Sequence, residues 1–175
     1  PWSLKNLKYP GTRFFVPTFQ IEGQKTGTSF YSKYAPLKVE VFHTQYSEPF
    51  VITPKSFLIA HFKDFDLINV HSLNFVSFEE WNHELKRVLN KITDNKPTML
   101  LGDFNTWDEE RTKVLKDQTK KKGLQEVVFK KDQRSQVLGR VVDFIFVRGF
   151  VLRDANVFNF PDYSDHNPME VVLQL

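Results

Sequence analysis

Short runs rich in β-branched and aromatic residues recur along the whole chain and constrain its fold more than any other feature. Such residues favour pleated, half-buried strands. We predict strands at Arg13–Val16, Thr28–Ser32, Val39–His43, Phe57–His61, Leu67–His71, Thr98–Leu101, Leu124–Phe129, Val141–Val147 and Glu170–Leu173. Only a short polar stretch separates the fourth run from the fifth, which predicts a hairpin whose second strand ends at His71.

Two helices are predicted between these strands. Ser77 and Glu80 are spaced as a capping box, and the apolar residues that follow recur at helical spacing. Thr106 and Glu109 form a second capping box, from which a helix should run to the C′ glycine Gly123. A strand-rich chain interrupted by helices predicts an α/β fold, a two-sheet α/β sandwich with its helices packed outside.

The length of 175 residues and the 41% hydrophobic content are those of one domain, so we expect residues 1–175 to form a single domain. The chain has no Cys, so any metal must be bound through oxygen and nitrogen. No run approaches the roughly 18 apolar residues that a transmembrane helix needs, and no charged-then-apolar leader stands at the start. We expect a cytoplasmic protein, with secretion left open.

Positive charge is concentrated in one part of the sequence. Residues 111–153 hold 12 of the 24 Lys and Arg residues but four of the 21 acidic residues. Such a bias attracts polyanions. The alternative is an ordinary solvated helix end, because Lys120–Lys122 falls where a helix C-terminus favours cations.

Polar residues follow the apolar run that ends at Gly102. Asp103 and Asn105 occupy alternate positions there, which in a strand would direct both side chains to one face. A carboxylate and a neutral amide beside a helix N-terminus suit a hard cation such as Mg²⁺ and a phosphate oxygen. The alternative is a simple turn that caps the next helix.

Two further acidic residues and two histidines stand in related settings. Asp143 lies within an apolar run, where a carboxylate is costly unless it is paired. Asp165 and His166 precede the last strand and could divide metal binding and proton transfer between them, or could form only a polar loop. A histidine held by Asp143 would have its tautomer fixed. His71, at a strand end, could donate to a phosphoryl oxygen or could be structural.

Taken in order, these motifs resemble a known family. Each follows or lies in an apolar strand, and the set is Asn69-Val70-His71, Gly102-Asp103-Phe104-Asn105, Val142-Asp143-Phe144 and Ser164-Asp165-His166-Asn167-Pro168. The set resembles the endonuclease/exonuclease/phosphatase superfamily, which has a DNase I-like fold. The chain looks closest to a little-characterised bacterial branch, on the strength of residues 69–75, 102–107 and 132–140.

The resemblance implies a role for each residue. Asp103 would position or activate the attacking water, and His71 would stabilise the phosphoryl oxygens. Asp143 would orient His166, which would contact phosphate or act as the base. His83 has no such company, and we expect it to lie exposed on the first helix.

The metal would be Mg²⁺ or Mn²⁺. Its implied ligands are Asp103, Asn105 and Asp165, with Asn105 also holding substrate.

One part of the family pattern is missing. Family members begin with a strand that ends in a Trp-Asn-like motif and a second strand whose Gln-Glu supplies a principal Mg²⁺ ligand. The early acids Glu22 and Glu40 do not match that setting. We therefore expect the first two strands to be absent, an exposed sheet edge that could favour self-association, and weak Mg²⁺ binding or no activity in this chain.

Three functions remain open. A phosphodiesterase acting on nucleic acid is favoured by the basic segment 111–153. A phosphatase or lipid phosphodiesterase acting on inositol phosphates or sphingomyelin is the second, although no lipid-inserting hydrophobic hairpin is evident in the sequence. The third is a metal-depleted, non-catalytic binding domain.

Overall fold

A computed structural model describes residues 11–21, 23–49, 53–159 and 164–175. Within those ranges the chain forms strands and two α-helices. The strands are β1 (Thr12–Ile21), β2 (Gln24–Ser32), β3 (Lys38–Glu48), β4 (Thr53–His61), β5 (Asp66–His71), β6 (Thr98–Asp103), β7 (Gln125–Glu126), β8 (Gln136–Val137), β9 (Arg140–Val141), β10 (Asp143–Arg148), β11 (Val151–Val157) and β12 (Met169–Gln174). The helices are α1 (Phe78–Leu89) and α2 (Glu109–Lys121).

A six-stranded sheet forms the centre of the fold, with the strand order β3-β4-β5-β6-β10-β7. The predicted hairpin of β4 and β5 is confirmed. β5 and β6 are parallel, and α1 lies between them in the sequence, as a parallel pair requires a crossover. The carboxyl ends of β5 and β6 therefore reach the same edge of the sheet.

Both helices pack on one face of this sheet. Trp81 of α1 is fully buried among apolar side chains of β4, β5, β6 and β10, and its Nε1–H donates to the Phe104 carbonyl at 2.8 Å. The predicted capping box is present, because Ser77 Oγ accepts from Glu80 N–H while the Glu80 carboxylate accepts from Ser77 N–H. The helix layer is therefore anchored to the loop that follows β6.

The other face of the central sheet is covered by two separate two-stranded sheets, β1–β2 and β11–β12. The first is tied to the central sheet by Ser56 Oγ–Thr28 Oγ1 at 2.9 Å and by Asn69 Nδ2–Ser29 O at 3.1 Å. The second packs through a distinct apolar cluster that includes Ile145 of β10. The predicted layered sandwich is thus confirmed, with its second layer divided into two hairpins in the described ranges.

Some predicted boundaries were wrong. The N-cap of α2 is Asp108, whose carboxylate accepts from Arg111 N–H at 2.7 Å. Thr106 is fully buried and its hydroxyl donates to the Val141 carbonyl instead, so it cannot cap the helix. The strand β11 was not predicted, because Arg153 and Asp154 interrupt its apolar residues. Gly123 follows α2 with φ of 71°, as expected of a C′ glycine.

None of the helices in the described part of the chain is long and apolar enough to cross a membrane.

Candidate active site

His71, Asp103 and Asp143 lie side by side across three neighbouring strands. His71 of β5 pairs with Asp103 of β6, and Asp103 pairs with Asp143 of β10. Directly opposed residues project from the same face of a sheet. Side chains alternate along a strand, and Leu101 and Ile145 pack towards the β11–β12 layer, so the row projects from that face and not from the helix face.

His166 joins this row from the loop that precedes β12. Its Nδ1–H donates to Oδ2 of Asp143 at 2.7 Å. Asp143 is 8% exposed, so the pairing that its buried setting required is found. The hydrogen bond to the carboxylate raises the pKa of His166 to about 9, against a smaller opposing effect of burial. The pair therefore carries an imidazolium beside a carboxylate at neutral pH.

Asp103, at the end of β6, has a carboxyl group with altered acidity. Its Oδ1 accepts from Asn105 N–H at 2.8 Å, an interaction that favours the charged form. Burial has the larger effect and, together with the charge of Asp143, raises the pKa of Asp103 to about 6. A carboxylate with this pKa is charged at neutral pH and can accept a proton there.

His71 is a different kind of histidine. Its Nε2 lies 4.0 Å from Oδ2 of Asp103, too far for a hydrogen bond. Burial, followed by the positive charges of Lys55 and His166, lowers the pKa of His71 to about 4. Although 42% of its side chain reaches solvent, the ring is neutral at pH 7 and can donate one hydrogen bond.

Asn105 is placed by a turn. Its φ of 50° is left-handed, and β6 ends at Asp103, so strand alternation does not set the direction of its side chain. The buried Nδ2 donates to the Ser72 carbonyl at 2.9 Å, and Arg111 donates to the Asn105 carbonyl at 3.3 Å. The loops that follow β5 and β6 are therefore fastened together beside the row.

Comparison with known proteins identifies the family of this chain. The sequence model described as Endonuclease/Exonuclease/phosphatase family matches residues 2–166. The chain belongs to this family. It is 32% identical over 168 residues to a UPF0294 protein of Vibrio campbellii and 36% identical over 134 residues to one of Yersinia pseudotuberculosis. The bacterial branch expected from the motifs is thereby confirmed.

These family relatives are longer proteins. The alignments cover 91% and 73% of this chain but 58% and 51% of the two relatives. Among solved structures, an endonuclease/exonuclease/phosphatase of Beutenbergia cavernae has a TM-score of 0.71 at 18% identity, over 93% of this chain and 53% of that one. At that identity the likeness shows the fold alone.

The donor set fits the kind of metal that this family generally uses, a divalent cation. Asp103 is a carboxylate whose raised pKa reflects a poorly compensated negative charge. The Asn105 side chain uses its nitrogen to donate to the Ser72 carbonyl, which leaves its oxygen as the atom to offer a metal. Hard cations prefer such oxygen ligands. In the residues that the structure describes, no group of three or more His, Asp or Glu side chains is spaced to hold an ion, and Asp165 is exposed.

Of the two acidic residues near the start of the sequence, the structure describes one. Glu40 contacts Lys38 and His61 at the opposite end of the sheet from His71, and Glu22 lies outside the described residues. Glu48, which was not expected from the sequence to lie near the site, is buried at the end of β3, with Oε2 3.2 Å from Lys55 Nζ. Its Oε1 accepts from Asn74 N–H at 2.7 Å, so this pair supports the loop after His71. The sequence carries no signal for this pair, because the burial of Glu48 and Lys55 is decided by the packing of β3 and β4.

The three remaining histidines lie apart from the row. His61 bridges Glu40 and Asp66, His83 is exposed on α1 beside Gln45, and His43 is exposed on β3. The prediction that His83 is exposed is confirmed.

Proposed function

We propose that this chain carries the larger part of the active site of an enzyme that hydrolyses phosphodiester bonds with the aid of a divalent metal ion, and that nucleic acid is the substrate. The proposal depends on one observation, the row of His71, Asp103 and Asp143 with His166 hydrogen-bonded to it. The row combines a proton acceptor, a fixed positive charge and a neutral hydrogen-bond donor at one edge of a rigid sheet. Phosphoryl transfer depends mostly on such positioning and charge stabilisation.

In the metal-free site, the acidities favour Asp103 over His166 as the proton acceptor. At neutral pH its carboxylate is charged and can take a proton from the attacking water, because its pKa is about 6. His166 is already protonated, since its pKa is about 9, and it cannot act as a base there. Its imidazolium instead stabilises negative charge on the phosphoryl oxygens, and Asp143 fixes the direction of its ring.

The other residues complete the polar surroundings of the phosphate. Neutral His71 donates a hydrogen bond to a non-bridging oxygen. Asp103, Asn105 and Asp165 would supply the oxygen ligands for Mg²⁺ or Mn²⁺, with Asn105 offering Oδ1 because its Nδ2 donates to the Ser72 carbonyl. When bound, the metal ion neutralises charge on the phosphoryl oxygens.

Exposed lysines support nucleic acid as the substrate. The segment 111–153 presents less positive charge to solvent than its sequence implies, because Arg111 and Arg134 are buried and Arg140 lies against Glu109. The exposed lysines of this segment are Lys113, Lys116, Lys120, Lys121, Lys130 and Lys131. Exposed lysines attract a phosphate backbone without sequence preference, and of these six Lys116 also contacts Glu126 and Lys130 contacts Asp154.

One observation favours a lipid phosphodiester as a second candidate. β8 and β9 form a hairpin whose turn has Leu138 and Gly139 at φ of 50° and 75°. Leu138 is 83% exposed and Val137 is 43% exposed. A leucine is a poor residue for this left-handed turn position, where Asn or Gly is favoured. The hairpin, which was not expected from the sequence, could contact a lipid surface.

The test is an assay of the protein with Mg²⁺ or Mn²⁺ against plasmid DNA, abasic DNA, inositol phosphates and sphingomyelin vesicles. We expect cleavage of nucleic acid that is lost in His166→Ala. It should be kept in His83→Ala, a matched control at an exposed position of α1. Product from sphingomyelin alone would favour the lipid candidate. Absence of product from every substrate, with His166→Ala indistinguishable from wild type, would leave the non-catalytic domain as the function.

A further inference from the structure

The described residues just before β12, 164–168, which carry His166, form neither helix nor strand. Ser164 and Asp165 are exposed, and β12 does not begin until Met169. Within the loop, His166 N–H donates to Ser164 Oγ at 3.0 Å, a contact that is also exposed. A ring in such a loop keeps a defined direction only if contacts from outside the loop hold it.

Asn167, the next residue, makes two of those contacts. Its backbone N–H donates to Ser135 Oγ at 2.7 Å, and its Nδ2 donates to the Gln133 carbonyl at 2.6 Å. Both acceptors belong to the segment that precedes β8. The loop of His166 is thus fastened to a part of the chain more than thirty residues away, since the two contacts span 32 and 34 positions.

That segment is itself fixed by Arg134, which lies between the two acceptors. Arg134 is 9% exposed and donates to the backbone carbonyl of Asp143 at 3.1 Å. Its Nε and Nη2 also donate to the Asp132 carboxylate at 2.9 and 2.7 Å. The guanidinium lies over the rings of Phe144 and Phe129, at 5.0 and 5.3 Å from their centroids.

Together these contacts form a closed series that includes the His166 imidazole. Asp143 accepts from His166 through its carboxylate and from Arg134 through its carbonyl. The segment around Arg134 holds Asn167, which is adjacent to His166. Asp143 of the central sheet is therefore held to His166 directly, and through Arg134 to the segment that binds Asn167. Of these residues, only His166 needs to contact the phosphate.

We propose that Arg134, Ser135 and Asn167 are positioning residues that hold the His166 ring against Asp143 and towards the scissile phosphate. This inference rests on the proposed function only where it says that the His166 imidazole is directed at a phosphate. The hydrogen-bonded arrangement itself can be tested without any substrate. A buried Arg whose guanidinium donates to Asp132, Asp143 and Glu126 would be costly to replace, because each orphaned acceptor loses its partner. Ser135 and Asn167, which are only half-buried, give the safer variants.

The first experiment is NMR on the metal-free protein, following exchange of the His166 Nδ1–H that donates to Asp143. In Ser135→Ala and in Asn167→Ala we expect exchange to be about fivefold faster, the change in opening equilibrium that corresponds to one lost hydrogen bond. Ser135→Thr keeps a hydroxyl acceptor and should restore the wild-type rate. Gln136→Ala, an exposed neighbour, is the control. Exchange in both alanine variants equal to wild type would overturn the inference.

The second experiment uses the phosphodiesterase reaction. We expect Ser135→Ala and Asn167→Ala to lower kcat with little change in KM, and Ser135→Ala combined with His166→Ala to be no worse than His166→Ala alone, because residues that act through one group are not additive. Additive losses would contradict a role through His166. A wild-type protein without hydrolysis would refute the proposed function, whereas the exchange measurement would still decide this inference.

Discussion

Nδ1 of His166 lies 2.7 Å from Oδ2 of Asp143, and this contact joins the exposed loop before β12 to the buried end of β10. The bond raises the pKa of His166 to about 9, which places a charged imidazole beside a carboxylate at neutral pH. In the same row, Asp103 has a pKa of about 6. In the metal-free site this order of acidities supports the proposal that Asp103 accepts the proton and His166 contacts the anionic phosphate.

The two histidines of the site should titrate far apart in the metal-free protein. By NMR we expect His166 to lose its proton near pH 9 and His71 to gain one only near pH 4. The pKa of His166 is raised in the folded state, so its stabilising contribution is present below about pH 6.5 and is lost as the pH rises through 9. His71 is the reverse: protonation destabilises the fold as the pH falls from about 6.5 towards 4.

Asp103→Asn should stabilise the metal-free protein at pH 7.5. Burial raises the pKa of Asp103 to about 6, so its charged form costs folding free energy above that pH. A shift of this size corresponds to about 1–3 kcal/mol, or an increase in Tm of roughly 3–10 °C for a chain of this length. The gain should vanish below about pH 4, where both forms are neutral.

The control for that measurement is Asp64→Asn, at an exposed turn position between β4 and β5. Its Tm should stay within the small range usual for surface substitutions. Equal melting temperatures of Asp103→Asn and wild type at pH 7.5 would show that burial of the charged Asp103 carboxylate does not lower the free energy of unfolding.

Asp143→Asn should reduce kcat of the proposed reaction by about 10²–10⁴, the range for loss of a correctly protonated and oriented group. KM should change much less, because Asp143 does not itself bind substrate. NMR should also show the pKa of His166 returning towards its ordinary value. Asp94→Asn, an exposed substitution after α1, is the comparison. Wild-type kcat in Asp143→Asn would refute the role assigned to the pair.

Arg111→Met should destabilise the protein by about 2–4 kcal/mol, because it leaves buried carbonyl groups without donors. Arg111 is 1% exposed, its guanidinium donates to the carbonyls of Asn105 and Val76, and it lies 4.6 Å from the centre of the Trp107 ring. Urea unfolding measures the effect. Lys113→Met, on an exposed position of the same helix, should change stability by less than about 0.5 kcal/mol.

The course of β4, β5, β6 and α1 could be predicted, because each has a strong local pattern. The β4–β5 hairpin follows from two apolar runs with a short polar connection, and α1 from the capping box at Ser77. The beginning of α2 could not, since Thr106 and Asp108 are both good N-cap residues. Burial of the Thr106 hydroxyl against Val141 decided between them, and that contact joins positions 35 residues apart.

The sequence by itself determined which residue types stand at the ends of the strands: His71 at the end of β5, Asp103 at the end of β6, and Asp143 at the start of β10. Alternating apolar residues fix where strands run, and the polar residues that follow are then read directly. Only the tertiary structure decided that these three residues share one row, that His166 reaches Asp143, and that Arg134 and Asn167 hold it there. Strand order and loop contacts depend on pairings between distant parts of the chain, and local sequence patterns do not specify them. The acidities depend on those contacts too, because desolvation and hydrogen bonding exist only in the assembled site.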